Sequence, residues 1–506
     1  MLDLIAQLPQ ESFDRPHIDW HALSPELVLL GVGALVTILD IVFLERARNW
    51  TSAIAGLGLL ATVVPLLTLW VSVDDEGPRV LFGGAYVVDK YALVMKLIFI
   101  LAGYVVVLLS TNYIAEGDYW ENEYYGLLLS SIMGMVVMAS ARDLISIFIA
   151  LELLSIPAYM LAAWRKRDTK GNEAGLKYYL MGVFASAIML YGMSLLYGVT
   201  GSTLLRDIAD AVVSREQFDS AIALGIVLVI VGFAFKISAV PFQHWAPDTY
   251  EGAPTPIAAF LAVASKAAGF VALMNVLFVA FPGRHDIYQP LIWVMAAASM
   301  TVGNLIALRQ TNIIRMLAYS GVAQTGFMLA PLAVAGDPEV ADLALSTTVN
   351  YLAIYAAMNL GAFAVVIALA RKTGSGEIDA MKGSFQYAPG LTVAMSVFLF
   401  SLAGIPPIGG WFAKFNVFRS LAAAETVWAY VLAVIVAVNS VVALYYYASV
   451  ARKMMADDAP DGDVSPVHVP PSLVAALTIT VIVTLVFGFF PGTVGEFTDV
   501  SLVAAP

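Results

Sequence analysis

Seven ionisable residues stand inside or at the edge of strongly apolar stretches, Asp40 and Lys96 among them, and five carry the candidate chemistry: Glu152, Lys177, Lys236, Lys266 and Lys414. A carboxylate and four amines can do one kind of chemistry without a cofactor, which is to take up protons and pass them on. Desolvation disfavours an ammonium and a nearby carboxylate favours it, so moving one relative to the other changes which holds the proton. In this reading Glu152 and Lys236 form such a switchable pair, Lys266 is a central relay, and Lys414 is a relay toward the C-terminal half. A charge at a bilayer centre costs about 2.5 to 3.5 kcal/mol on insertion scales, so it lines a pathway or finds a partner. The plainer alternative is snorkelling, in which a long side chain reaches the interface from near a helix end. Snorkelling suits Lys96, and it fits Lys177, at the start of its run, as well as function does. Asp40, close to a basic cluster, reads as a carboxylate at the membrane edge. Glu152 lies near the middle of its run with no helix end to reach, so its alternative role is a buried carboxylate that fixes packing.

Two of the lysines stand beside prolines that interrupt a run. Lys236 to Trp245 reads KISAVPFQHW and Leu402 to Trp411 reads LAGIPPIGGW, each a small-apolar-Pro core with a tryptophan after it. Proline inside a helix removes a backbone donor and clashes with the previous turn. Pro241, Pro406 and Pro407 therefore mark helix breaks, whose freed carbonyls can solvate an ammonium or a water chain. Broken helices in corresponding halves point to a transporter's working site. Pro241 and Pro406 are 165 residues apart, about five helices with their loops, and an odd number of crossings inverts the second copy. His244, Asn304, Gln324, Asn350, Asn359 and Asn439 could hold connecting water, with an interhelical hydrogen bond as the plainer role for each. Gly283 to Asp286 offers metal-ligand residue types without a spacing that defines a site, so no metal is expected.

The elements that must position these groups are spanning helices. The chain has 506 residues, 60% hydrophobic and 13% charged, where a soluble domain carries about a quarter charged residues. A spanning helix needs about 20 apolar residues. Runs of that kind occur at roughly 26 to 44, 51 to 73, 91 to 109, 124 to 140, 144 to 163, 176 to 198, 220 to 240, 254 to 280, 288 to 308, 316 to 335, 344 to 370, 391 to 421, 427 to 450 and 472 to 490. The expected architecture is an all-α polytopic membrane protein of about 14 transmembrane helices. It forms a single domain over residues 1 to 506, with helices 1 to 3 at 26 to 109, a first repeat at 124 to 280, an inverted second repeat at 288 to 450, and a last helix at 472 to 490. The two five-helix repeats carry their breaks in helices 7 and 12. Basic residues cluster at Arg46 and Arg48, at Arg165 to Lys170, at Arg309 and Arg315, at Arg371, Lys372 and Lys382, and at Arg452 and Lys453. Alternating crossings bring all of these to one side, which the positive-inside rule makes cytoplasmic, with both termini outside. The loop from Ala115 to Glu123, on that side, is the exception in having no Lys or Arg. No cysteine is present, which removes thiolate iron-sulfur ligation, disulfides and cysteine nucleophiles. A net charge of −12 argues against a nucleic-acid partner, and no Walker A sequence supports an ATP-driven pump.

The stretch from Pro241 to Lys266, PFQHWAPDTYEGAPTPIAAFLAVASK, resembles the core of the antiporter-like membrane subunits of respiratory complex I and of multisubunit cation/proton antiporters. The pattern Trp-x-Pro-Asp-x-x-x-Gly-Ala-Pro-Thr-Pro, from Trp245 to Pro256, is long and specific. Ala262 to Ala268, then Ser401 to Pro407 followed by Lys414, point within that family to the bacterial proton-translocating NADH:quinone oxidoreductase branch. The resemblance covers most of the chain. It implies that Glu152, Lys177, Lys236, Lys266 and Lys414 take the family's proton-translocating positions. It also implies that quinone reduction drives the protons, and that NADH, FMN, iron-sulfur clusters and the quinone cavity belong to other subunits. The implied partners are those subunits and the lipid bilayer, and the implied location is the bacterial inner membrane. The rival readings are a subunit of a sodium/proton antiporter, which shares the Gly-Ala-Pro-Thr-Pro stretch, and a passive membrane scaffold.

Overall fold

In a hydrocarbon layer only a helix satisfies every backbone N–H and C=O within its own segment, and each of the apolar runs folds as helix. The computed structural model describes residues 18–43, 48–117, 123–213, 220–460 and 462–502. Arg46 and the middle of the charge-poor loop after residue 117 lie outside the described residues. The first helices are α1 (Ser24–Phe43), α2 (Arg48–Glu76) and α3 (Lys90–Glu116), with a small antiparallel hairpin of β1 (Arg79–Leu81) and β2 (Tyr86–Val88) between the last two. There follow α4 (Tyr124–Ser140), α5 (Leu144–Ala162), α6 (Thr169–Thr200), α7 (Ser220–Lys236), α8 (Trp245–Gly252) and α9 (Thr255–Ala280). The rest are α10 (His285–Ala307), α11 (Ile313–Leu332), α12 (Pro338–Thr373), α13 (Pro389–Ala403), α14 (Gly409–Ala423), α15 (Val427–Ala456) and α16 (Pro471–Phe489). Among the described residues ten helices are long and apolar enough to cross a membrane, and α4, α7 and α13 are shorter apolar helices of 17, 17 and 15 residues.

The packing repeats. α4 packs on α5 as α10 packs on α11, and α6 holds both α7 and α8 as α12 holds both α13 and α14. The seventh expected run stops as helix at Lys236 and resumes at Trp245, and the twelfth is divided between Ala403 and Gly409. Both interruptions coincide with the prolines, and each carries a cis X–Pro bond, Val240–Pro241 and Pro406–Pro407. Two helices, α9 and α12, are almost completely enclosed by the others, so the centre of the molecule lies between them.

The basic clusters that hold Lys170, Arg315, Arg371 and Lys453 share one end. Lys170 and Arg315 both reach Glu251, Arg371 pairs with Glu116 at 2.5 Å, Lys372 with Asp463 at 3.4 Å and Lys453 with Asp379 at 2.9 Å. Arg371, in the last turn of α12, thus places a positive charge beside Glu116, where the Ala115 to Glu123 segment has none of its own. Lys382 and Lys453 hold the exposed Asp379 carboxyl below its ordinary range through hydrogen bonds.

At the second break Gly404 has φ +88°, a left-handed conformation open to glycine at little cost. A Cβ at this position would also sit 2.7 Å from Lys414 Cδ. Gly404→Ala is therefore expected to destabilise the protein by about 1 to 3 kcal/mol from backbone strain alone and to displace Lys414. Gly390→Ala, where a Cβ meets nothing within 4 Å, is the control. Thermal unfolding of the two variants in detergent checks this, and equal midpoints would contradict it.

Candidate functional site

A helix that stops inside a membrane leaves carbonyls without partners, and each of these costs free energy unless something donates to it. At the first break Trp245 Nε1 donates to Phe235 O at 3.0 Å and Thr325 Oγ1 donates to Ile237 O at 2.8 Å. At the second, Gln324 Nε2 donates to Leu402 O at 3.1 Å and Lys414 Nζ to Ala403 O at 2.8 Å. Thr325 and Gln324 are neighbours on α11, so this one helix serves both breaks. It also packs against both half-helices that follow them, α8 and α14.

Three lysines lie along this arrangement, 3%, 1% and 5% exposed for Lys236, Lys266 and Lys414. Lys236 Nζ donates to Ser155 Oγ at 2.9 Å and to Tyr178 OH at 3.1 Å. Lys266 Nζ donates to Gly321 O at 2.6 Å and to Thr325 Oγ1 at 3.0 Å. Thr325 therefore connects Lys266 to the carbonyl next to Lys236. A π-helical turn, Leu261–Ser265, precedes Lys266 on α9, a distortion frequent at functional sites. Gly321 keeps the space beside it open: a Cβ there would stand 3.2 Å from both Lys266 Nζ and Tyr355 OH. Onward from Tyr355, Asn359 donates to its hydroxyl at 3.0 Å. Gln324 is tied to Tyr351 OH at 2.5 Å and to Tyr447 OH at 3.3 Å. Lys414 lies 4.4 Å over the ring of Phe327, also on α11. The buried polar groups thus run from α5, through both breaks, to α14.

Glu152 and Lys236 do not meet directly. Glu152 accepts from Ser186 Oγ at 2.6 Å, while the lysine is held by Ser155, one turn further along α5. Lys177 stands apart from the three buried lysines. It is 42% exposed and is bound by Glu173 at 2.6 Å and Asp248 at 2.7 Å at the basic end. Arg315 closes that cluster with contacts of 2.9 Å to Asp248 and 2.8 Å to Glu251, around a cleft of about 190 Å³. His244 is exposed and does not join the buried groups. Asn304 and Asn439 bond to each other across α10 and α15 at 3.1 Å, the plainer of their two expected roles.

Lys96 does not snorkel. It is fully buried, 2.7 Å from Glu26 and 3.1 Å from Tyr86 OH, because α1 supplies a carboxylate at its level. Asp40 is likewise buried, at 6% exposure. Sequence reasoning also passed over Thr325, whose only signal is a hydroxyl in an apolar run. It read Arg315 solely as an orienting charge and missed its part in the cluster with Asp248. No group of three or more His, Cys, Asp or Glu among the described residues could hold a metal ion.

A family model described as NADH:quinone oxidoreductase/Mrp antiporter, TM, matches residues 141–440, which include both breaks and Glu152, Lys177, Lys236, Lys266 and Lys414. The chain belongs to that family. It is 41% identical to NADH-quinone oxidoreductase subunit N 1 of Koribacter versatilis, over 94% of this chain and 93% of that one. A chain in the respiratory complex I of Thermus thermophilus with bound aureothin is 30% identical, covers 93% of this chain and 98% of its own, and superposes with a TM-score of 0.76. A chain of the Mrp complex from Dietzia sp. superposes with a TM-score of 0.83, covering 95% of this chain and 97% of its own, at 20% identity, a likeness of fold. The family's match thus spans the segment in which the freed carbonyls and the buried lysines come together.

Thr325→Val keeps the shape of the side chain and removes the hydroxyl. The Ile237 carbonyl and Lys266 then each lose a partner, and a buried group left unsatisfied costs about 1 to 3 kcal/mol. The variant is expected to unfold at lower temperature than the parent. An unchanged midpoint would mean that the hydroxyl holds neither group.

Proposed function

We propose that this chain is a proton-translocating membrane-arm subunit of NADH:quinone oxidoreductase, embedded in a bacterial inner membrane with both termini on the outer side. Its carrying observation is the buried file from Lys236 through Lys266 to Lys414, each amine held by neutral oxygens, with α11 linking the two helix breaks. The near full-length likeness to a subunit N at 41% identity supports the assignment to that complex. The 20% likeness to the Mrp chain carries fold alone and gives no separate support to a cation/proton antiporter.

In this reading protons reach the file from the basic, cytoplasmic end. Asp248 and Glu251 line the cleft there, and Lys177 sets the charge at its mouth. Between the cleft and Lys266, the buried oxygens of Thr249, Tyr250, Ser238 and Ser265 have no close protein hydrogen-bond partner, and buried polar atoms of this kind are the ones that bridging water satisfies. Glu152 acts on Lys236 through its charge, without a shared hydrogen bond. Lys266 passes charge between the repeats and Lys414 carries it toward the neighbouring subunit. Electron transfer, with NADH, FMN, iron-sulfur clusters and quinone, takes place on other chains of the complex, and this chain has no cysteine to ligate a cluster. The enzyme is a translocase to which this subunit contributes the ion pathway.

The test is made on the whole complex in membrane vesicles. Lys236→Ala is expected to copurify with a flavin-containing, NADH-oxidising assembly and to lose most of the pumping that depends on NADH; undiminished pumping in an assembled variant would favour a passive scaffold. Arginine stays charged at all working pH values. Lys414→Arg should therefore assemble yet pump poorly, and an arginine variant that pumps like the parent would leave Lys414 a fixed charge only.

A further inference from the structure

The file described above leaves unused a second buried ionisable cluster, formed by α1, β2 and α3 near the end opposite the basic one. Glu26 stands in the first turn of α1 and is 6% exposed; Lys96 is fully buried on α3. Glu26 Oε1 takes both donors of the group, Lys96 Nζ at 2.7 Å and Tyr86 OH at 2.5 Å. Glu26 Oε2 is buried and has no partner. A carboxylate used only to neutralise Lys96 would cost less with both oxygens bonded, because a buried charge needs its remaining lone pairs satisfied.

The surroundings lead inward from that oxygen toward the helix that carries Lys266. Tyr86 pairs with Ala141 through a backbone bridge, and Arg142, next in sequence, holds Asp89 at 2.9 Å with both side chains 2% exposed. Asn275, on α9, donates to the carbonyls of Met138 and Ala141 at 3.1 and 3.2 Å. Tyr91 OH reaches Val271 O, also on α9, at 3.4 Å. Within this node Arg142 Nε and Asn275 Oδ1 are buried polar atoms without protein partners, as Glu26 Oε2 is. Buried atoms of this kind are the ones that internal water satisfies, and here they extend from α9 to a carboxylate in the first turn of α1, a few residues after the exposed Trp20.

We infer that Glu26 is a proton-release station on the outer side, an inference that rests on the translocation reading above. Glu26 Oε2 accepts one proton from the inner side of the node and becomes the neutral acid, while Lys96 remains an ammonium held by Tyr86 OH. The proton then leaves to the outer aqueous phase and the carboxylate re-forms its pair with Lys96. Asp89 and Arg142 balance each other and fix the backbone that carries Tyr86.

The experiment removes both charges together, so that neither is left buried alone. Glu26→Gln with Lys96→Met, and separately Glu26→Gln with Lys96→Gln, are made in the full complex and compared with the parent and with Lys236→Ala for flavin content, NADH oxidation and protons moved per NADH. At least one neutral pair is expected to assemble with the parent's flavin content and to move fewer protons per NADH, a loss comparable to that of Lys236→Ala. If an assembled neutral pair pumps at the parent's ratio while Lys236→Ala does not, the release station is wrong and the translocation reading stands. If Lys236→Ala also pumps normally, the translocation reading itself is wrong. If neither neutral pair assembles, the cluster is a folding requirement and the inference is overturned.

Discussion

A backbone carbonyl exposed in the middle of a membrane must find a donor, and here that requirement organises the centre of the molecule. Carbonyls at residues 235, 237, 402 and 403 flank the two breaks, and the side chains that donate to them are Trp245, Thr325, Gln324 and Lys414. Half of those donors are adjacent residues of α11. This helix is nearly all buried along its second half, and it cannot shift relative to one break without disturbing its bond to the other. Lys266 is held by the same helix, through Gly321 O and Thr325 Oγ1.

The lysines suit this setting because an ammonium is compact and offers three donors that can be shared among carbonyl and hydroxyl oxygens. Lys236, Lys266 and Lys414 are all held by neutral oxygens, whereas Lys96 has a carboxylate at 2.7 Å. The contrast is one of chemistry. A proton leaving a lysine held only by neutral groups does not leave behind an unpaired carboxylate, so a file of such amines can change charge without breaking a buried ion pair. The ion pairs around Lys177 and Arg315 are partly exposed, and water shares their cost.

Much of the fold was legible because it depends on composition and on proline. The apolar runs became helices, and the breaks fell at Pro241 and at Pro406 and Pro407, since a missing N–H and a steric clash act locally. Burial of Lys236, Lys266 and Lys414 was legible for the same reason, each lying beside a break or deep within a run. Partners across helices were not. Glu26 stands at the margin of the first run, where a carboxylate looks like a boundary residue, and only the packing of α1 on its neighbours brings it level with Lys96. The direct pairing expected for Glu152 and Lys236 gave way to Ser155, one helical turn from Glu152, because the lysine's reach is set by where α7 stops. His244 shares the motif with the break yet is exposed.

The central claim is that protons pass between the repeats at Lys266. The most direct measurement is the number of protons moved per NADH oxidised by the complete complex in sealed vesicles when Lys266 is replaced by glutamine, a neutral side chain that can still donate to Gly321 O. The expected result is NADH oxidation and assembly like the parent's once the proton gradient is collapsed, with a reduced proton ratio in sealed vesicles. A ratio equal to the parent's would contradict the account.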